Sequence, residues 1–371
     1  MFELRTEQDI VDFTTGCCFF GTGGGGDPKF GAQLLTEALN AGKSIRIIES
    51  TKLKEDAFTI CPFLMGSSGP DTEALQQARK FYGLTEKSVA NMSKVAAELL
   101  LIQSKVNLEA VVPVEIGGAA TASAVATAAW LDIPAIDGDY AGGRSLPEIS
   151  QFVPAINGLQ YCPLFSVDAF NNQVCILQAT NQRMVERLGK LIAGASYSLA
   201  GQAGLLLPYK KVQASIERGT LSRAFRLGKA LREAKTNGND ITKCITEVIG
   251  AKLIINGEVV SINGSEKDNY YIGEHIIEDK HASQQKRVKI WFKNEYLQLW
   301  LNDKPHITSP DFICMINSST GQPMINSQVK LGDHVLVFAV SAPSILISKN
   351  ALKYLAPPYF GFDFDYVPFN P

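Results

Sequence analysis

The chain concentrates its chemistry-bearing residues in four short segments of its first 150 positions. The first is Gly21-Thr22-Gly23-Gly24-Gly25-Gly26, followed by Asp27 and Pro28. So many glycines free the backbone to adopt positive φ, so that successive N–H groups can converge on an anion or a carbonyl. The helix that Asp27 and Pro28 would open adds its partial positive charge. No Gly-Lys-Ser/Thr follows, so this is not a Walker loop, and the preceding segment reads as helix rather than strand, so it is not a Rossmann fingerprint. The alternative is a tight connection that needs close backbone approach. The second segment, Glu115-Ile116-Gly117-Gly118, ends a strand. Its carboxylate could serve as base, metal ligand or hydrogen-bond acceptor, or only collect N–H groups from neighbouring loops. The third is Asp137-Gly138-Asp139, with Gly142-Gly143-Arg144 and Pro147-Glu148 just beyond. Two carboxylates this close would raise one another's pKa, as proton transfer needs, or hold a divalent cation. Arg144 would anchor a substrate carboxylate or pair with these acids in a loop-stabilising network. The fourth, Met65-Gly66-Ser67-Ser68-Gly69, supplies hydroxyl and amide donors, or is a plain turn.

These segments need a scaffold that brings them to one edge. A short helix near 6–14, a helix near 29–41, strands at SIRIIES and AFTICPFLMG, helices at about 71–82 and 85–104, the strand LEAVVPVEI, a small-residue helix at 119–131 and the strand IPAID alternate as in an α/β domain. A largely parallel sheet covered on both faces is expected over 1–165, and in such sheets ligands bind beyond the strands' C-terminal ends. All four segments fall at such ends or beside them, which predicts one shared cleft. Residues 166–371 read as a β-rich sandwich or barrel with a helical insertion near 180–250. Asn256-Gly257 and Asn263-Gly264 are expected as hairpin turns within it.

Other residues carry weaker signals. His275, His281, His306 and His334 lack HxH or HExxH spacing, which argues against a histidine zinc site. The seven cysteines are odd in number and unpatterned, which excludes a disulfide framework and predicts buried packing for Cys17 and Cys18. A run of Lys and Arg between 210 and 232 is expected as a solvated helix face, and the aromatics of YFGFDFDYVPF as domain packing.

Composition narrows the class further. The chain of 371 residues has 46% hydrophobic and 19% charged residues, within the globular range and enough for two domains. Net charge is −2, divided as 12 basic against 19 acidic residues over 1–165 (−7) and 23 against 18 over 166–371 (+5). That distribution argues against a nucleic-acid-binding protein. No apolar run approaches the roughly 20 residues a membrane span needs, and the acidic N-terminus does not suit a signal peptide. A cytoplasmic location is expected. The oligomeric state is open, a homo-oligomer included.

GTGGGGDP, EIGG, IPAIDGDYAGGRSLPEI and the closing PPYFGFDFDYVP together resemble the S-methyl-thiohydantoin desulfurase-like family, and the resemblance spans nearly the whole chain. It implies an α/β N-terminal and a β-rich C-terminal domain, and a hydrolase that releases methanethiol from a cyclic imide-type small molecule to leave a hydantoin. It further implies Asp137 or Asp139 as base or metal ligand, Glu115 as their partner and Arg144 as substrate anchor. Gly23, Gly24, Gly25 and Gly26 would donate to the substrate, which Asp27, Ser67, Gly117, Gly118 and Glu148 would also contact. No cofactor is implied beyond a possible divalent metal. Ala119 to Ser123, Gly138 and Ser145-Leu146 depart from the family's usual residues, which bears on substrate choice. Two other classes remain compatible: a partner or regulator of a hydantoinase/oxoprolinase-like enzyme, and a non-catalytic small-molecule-binding module.

Overall fold

The computed structural model describes residues 1–148, 152, 156–279 and 286–370, so His281 lies outside the described residues. The first half supplies β1 (Phe2–Leu4), β2 (Ile45–Ile48), β3 (Phe58–Met65), β4 (Leu108–Val111), β5 (Ala135–Ile136), β6 (Gly138–Asp139), β7 (Leu164–Asp168), β8 (Gln173–Ile176) and β9 (Ala200–Pro208). Eight of these form one sheet in the order β1-β2-β5-β4-β3-β9-β7-β8. Its centre, β2-β5-β4-β3, is parallel as expected, whereas β1 on one side and β9, β7 and β8 on the other run antiparallel. The division expected near 165 therefore falls within β7, and hydrogen bonding carries the first sheet on to Pro208.

Helices α1 (Glu7–Phe20), α2 (Pro28–Asn40), α3 (Glu73–Phe81), α4 (Met92–Ser104) and α5 (Ala120–Trp130) accompany this sheet. Thr6 and Asp9 start α1 with a reciprocal capping box. Asp27 starts α2 by accepting the Lys29 N–H, with Pro28 at the first helical position. Helix α5, ATASAVATAAW, is buried around nearly its whole circumference. Its small side chains suit that place, because neighbours must approach its backbone: a Cβ on Gly31 of α2 would lie 2.1 Å from the Gly118 carbonyl oxygen.

Strand β10 (Glu217–Arg218) pairs with β6, and the helix Thr220–Thr236 follows it. The second sheet is wholly antiparallel, built from β11 (Lys252–Lys267), β12 (Tyr270–Asp279), β13 (Lys286–Lys293), β14 (Glu295–Leu301), β15 (Lys304–Thr308), β16 (Phe312–Asn317) and β17 (His334–Val340) in the order β15-β14-β13-β12-β11-β17-β16. It curls until β14 and β15 pack against β16. The two expected Asn-Gly turns do not form, since both pairs lie within the single long strand β11. Neither pair has positive φ; instead the Tyr271 ring closes over Gly264, where a Cβ would meet it at 2.5 Å. The tight turns are at Asp268-Asn269 and Asn302-Asp303, where both residues of each pair are left-handed.

Period-two alternation joins the two halves. Ile313 and Met315 of β16 and Val335, Val337 and Ala339 of β17 fill the interior of the second sheet. Phe312, Cys314 and Ile316, with Leu336, Phe338 and Val340, point the other way into the core of the first. There Phe19 and Phe20 of α1 meet Phe338 and Phe312 at ring-centroid distances of 6.2 and 6.3 Å.

Candidate active site

A cavity of about 910 Å³ opens between the C-terminal ends of β3 and β4 and the rim of the second sheet. Its walls include Gly25 to Asp27, Met65 to Gly69 and Leu146 to Glu148, and it takes Asn294 and Glu295 from the second half. The volume suits a small ligand.

The glycine loop forms one wall for reasons that the backbone makes plain. Gly23, Gly25 and Gly26 have φ of +86°, +69° and +78°. The Gly25 carbonyl accepts the N–H groups of Ala119 and Ala120, both at 3.0 Å, and so caps α5. Gly25 and Gly117 lie back to back, each leaving less than 3 Å for a Cβ on the other. A Cβ on Gly24 would fall 2.1 Å from a Glu295 carboxylate oxygen, and one on Gly23 would meet the Tyr296 ring. Close approach therefore requires these glycines. Gly25, Gly26 and Asp27 also face the cavity, whereas Gly23 and Gly24 pack on the second half, and Gly117 and Gly118 lie behind the loop.

Glu115 and Glu295 face this space from opposite halves of the molecule, at 8% and 3% exposure. Glu115 Oε2 accepts the Leu146 N–H at 3.1 Å, and Glu295 Oε1 accepts the Ser145 hydroxyl at 2.8 Å. Burial, then the neighbouring Glu295 charge, raises the Glu115 carboxyl to about 8. Burial raises Glu295 to about 7, opposed by the Ser145 hydroxyl, Lys190 and Arg144. Glu295 Oε2 is buried without a hydrogen-bond partner. Burial raises both carboxyls above the usual carboxylate range, which suits one to donate a proton and the other to accept one.

Lys190 stands beside them. It lies on the helix Gln182–Ala195, donates to the Gly66 carbonyl, and sits 4.1 Å from the Tyr270 ring centroid. Burial lowers its pKa against the pull of Glu186, Glu295 and Glu115. Tyr270 in turn donates to Glu186 at 2.7 Å, while Lys293 and Tyr359 both donate to Glu148. Ser67 donates to Glu266, and the Asn294 amide oxygen receives both the N–H and the hydroxyl of Ser68. These bonds tie the serine loop to the second sheet across the cavity.

Residues 8–178 match the family described as S-Me-THD-like, N-terminal domain, and residues 179–369 its C-terminal counterpart. The chain belongs to the S-Me-THD-like family. An X-ray crystal structure of a protein from Chromobacterium violaceum is similar over 99% of this chain and 100% of its own, with a TM-score of 0.79 and 22% identity, a likeness of fold. No curated protein matches the chain.

In this S-Me-THD-like chain the cleft gathers only part of the expected set. Glu115, Gly25, Gly26, Asp27, Ser67 and Glu148 line the cavity; Asp137, Asp139 and Arg144 do not. Asp137 Oδ1 accepts the Ser222 N–H at 2.9 Å and its carbonyl accepts the Gly219 N–H, so that it holds the start of the helix Thr220–Thr236. Asp139 is fully buried, accepting the N–H groups of Ala141 and Gly143, and burial raises its pKa to about 7. Arg144, also fully buried, donates to the carbonyls of Ser145, Pro310, Asp311 and Tyr296 and to the Thr22 hydroxyl. Its guanidinium is thus a rivet between the two halves, with no donor directed to a substrate.

Among the described residues no group of three or more His, Cys, Asp or Glu side chains is placed to hold a metal ion, so Asp137, Asp139 and Glu115 do not form one ligand set. The seven cysteines are free thiols, and burial pushes those of Cys17 and Cys18 up, the latter to about 12. No helix among the described residues is long and apolar enough to cross a membrane.

Sequence reasoning missed Glu295 and Lys190. The signal for Glu295 was an acid beginning the strand EYLQLWL, flanked by Asn294 with φ of +62°. For Lys190 it was a lysine four residues after Glu186 on the buried face of its helix.

Proposed function

We propose that the protein hydrolyses an S-methylated thiohydantoin-type ring, releasing methanethiol and leaving the hydantoin. The observation that carries this reading is the buried Glu115–Glu295 pair at the cavity wall, within a chain of the S-Me-THD-like family. Water attacks the ring carbon that bears the thioether, and the ionised carboxylate takes one of its protons. The neutral carboxyl supplies a proton to the ring nitrogen or the departing sulfur. The new C–O bond becomes the ring carbonyl as the C–S bond breaks, and the water's two hydrogens end on nitrogen and sulfur. In this reading N–H groups of Gly25 and Gly26, which line the cavity, hold ring heteroatoms as charge develops on them. Ser145 positions Glu295, and Lys190 favours an ionised member of the pair.

The test is release of thiol by the purified full chain from S-methylated thiohydantoins, read with a chromogenic disulfide, with hydantoins and oxoprolines as controls. The assay is run with and without added Zn²⁺ or Mn²⁺. Methanethiol release that disappears in Glu115→Gln supports the reading. Binding of the ring without turnover would leave a binding module, and neither binding nor turnover, with stable association to a hydantoinase-like enzyme, would favour the partner role.

A further inference from the structure

Residues 66–90 run from the end of β3 to the start of α4 without one buried residue, the longest such run among the described residues. Helix α3 lies in the middle of it. Only Leu75, Ala78 and Arg79 of that helix are half-buried, at i, i+3 and i+4, so one narrow face meets the rest of the molecule. Leu75 and Arg79 line the main cavity, which makes α3 part of its outer wall.

The run is pinned at both ends and latched between them. At the near end Ser67 donates to Glu266 and Ser68 to Asn294; at the far end the N–H groups of Ser88 and Val89 share the Ala169 carbonyl at 2.8 and 3.1 Å. Between these pins Arg79 donates to the Tyr197 carbonyl at 2.6 Å, and its other terminal nitrogen to both Asp71 oxygens at 2.7 and 2.8 Å. The Tyr82 ring stacks on that of Tyr197, with centroids 6.0 Å apart. Gly83, with φ of +73° and open space where a Cβ would stand, lets the chain turn away directly after the helix.

We propose that α3 and its flanks form a lid over the main cavity, held shut by Arg79 and Tyr82 on Tyr197 and opening as a unit to admit and release the ligand. A segment that withdraws so little apolar surface from water opens at far lower free energy than the core beneath it. Shut, it screens Glu115 and Glu295 from bulk water, and lids of this kind commonly set the rate of ligand exchange. The inference rests on the proposed function only in taking this cavity as the ligand's site; the identity of the ring does not enter.

The test reads opening without any ring ligand. Val114, a cavity-lining residue at 3% exposure, is replaced by Cys in the full chain. Modification of that thiol by methyl methanethiosulfonate is followed by peptide mass mapping, which separates it from the seven native thiols. Adding Arg79→Ala or Tyr82→Ala should speed the modification at least about tenfold. Tyr82 lines no part of the cavity, so its truncation can act only by loosening the lid. Hydrogen exchange on the unsubstituted chain should find the α3 amides at least about tenfold less protected than those of α4, and Tyr82→Ala should raise exchange at 70–87 alone. Unchanged modification with Tyr82→Ala, α3 amides as protected as those of α4, or faster exchange spread into β3 and α4 would each overturn the lid. Should thiol release from S-methylated thiohydantoins fail while these results hold, the proposed function falls and the lid stands.

Discussion

Two glycine-flanked acidic segments, EIGG at 115–118 and DGDYAGGR at 137–144, look alike in sequence and end in opposite roles. Glu115 receives one N–H, feels the charge of a second buried carboxyl and opens onto a cavity. Asp137 and Asp139 each meet backbone donors from loops and a helix start, and Arg144 binds carbonyls on the far side of the interface. Asp139 is also buried and raised to about 7, but its oxygens are taken by N–H groups and it lines no part of the cavity, so it is part of the scaffold. A carboxyl held in low dielectric near another acid keeps a proton to trade. Residue type and a nearby glycine do not distinguish the two cases; what surrounds the oxygen atoms does.

The sharpest way to break this contrast is a matched pair of amides. Glu115→Gln should lower thiol release about 10²–10⁴-fold with the fold preserved, the range for losing a general acid or base. Asp137→Asn should leave turnover nearly intact, since its amide oxygen can still accept the Ser222 N–H. Equal losses in the two variants would erase the distinction. Arg144→Ala should destabilise the folded chain by about 3–5 kcal/mol in denaturant titrations, as it strands several buried carbonyls at the interface. Lysine should not rescue it, because a single ammonium cannot reach the four carbonyls and one hydroxyl that the guanidinium fork serves.

Stability should also depend on pH through Glu115. Its carboxyl is raised from 4.5 to about 8, so below 4.5 both the folded and unfolded states hold the proton. As pH rises from there to about 8, the unfolded chain ionises first and stability falls. Glu115→Gln should flatten that decline, which thermal melts between pH 5 and 8.5 would register. A steeper decline in the variant would mean that Glu115 is not held neutral by burial. The smallest effect is expected for Asp137→Ala, about 1 kcal/mol for a lost helix cap. Calorimetry reads that loss, and turnover per folded molecule should not change.

Much of the first half was legible because its signals are local. Asp27-Pro28 named the start of α2, the alanine-rich run named a buried helix, and apolar runs followed by helices named a sheet with a parallel centre. The second half was legible as β structure but not in its turns. Asn-Gly reads as a hairpin by local preference, and the long β11 overrides it with cross-strand partners that need the glycines' missing side chains. The expected helix over 85–104 begins only at Met92, where Asn91 caps it by accepting the Lys94 N–H.

The sequence by itself determined that the chain has an α/β half and a β-rich half; it left the glycine loop open between ligand binding and close backbone approach, and it ran the strand on to Glu115, whereas β4 ends at Val111 and Glu115 lies on the loop beyond it. The division into halves depends on propensity, periodicity and caps, each readable over a few residues. Only the tertiary structure decided that Glu295, 180 positions away in sequence, faces the same cavity as Glu115, and that Arg144 faces carbonyls instead of solvent. Whether a charge is catalytic or structural depends on its desolvation and its partners, and those are set by the contact between the two halves.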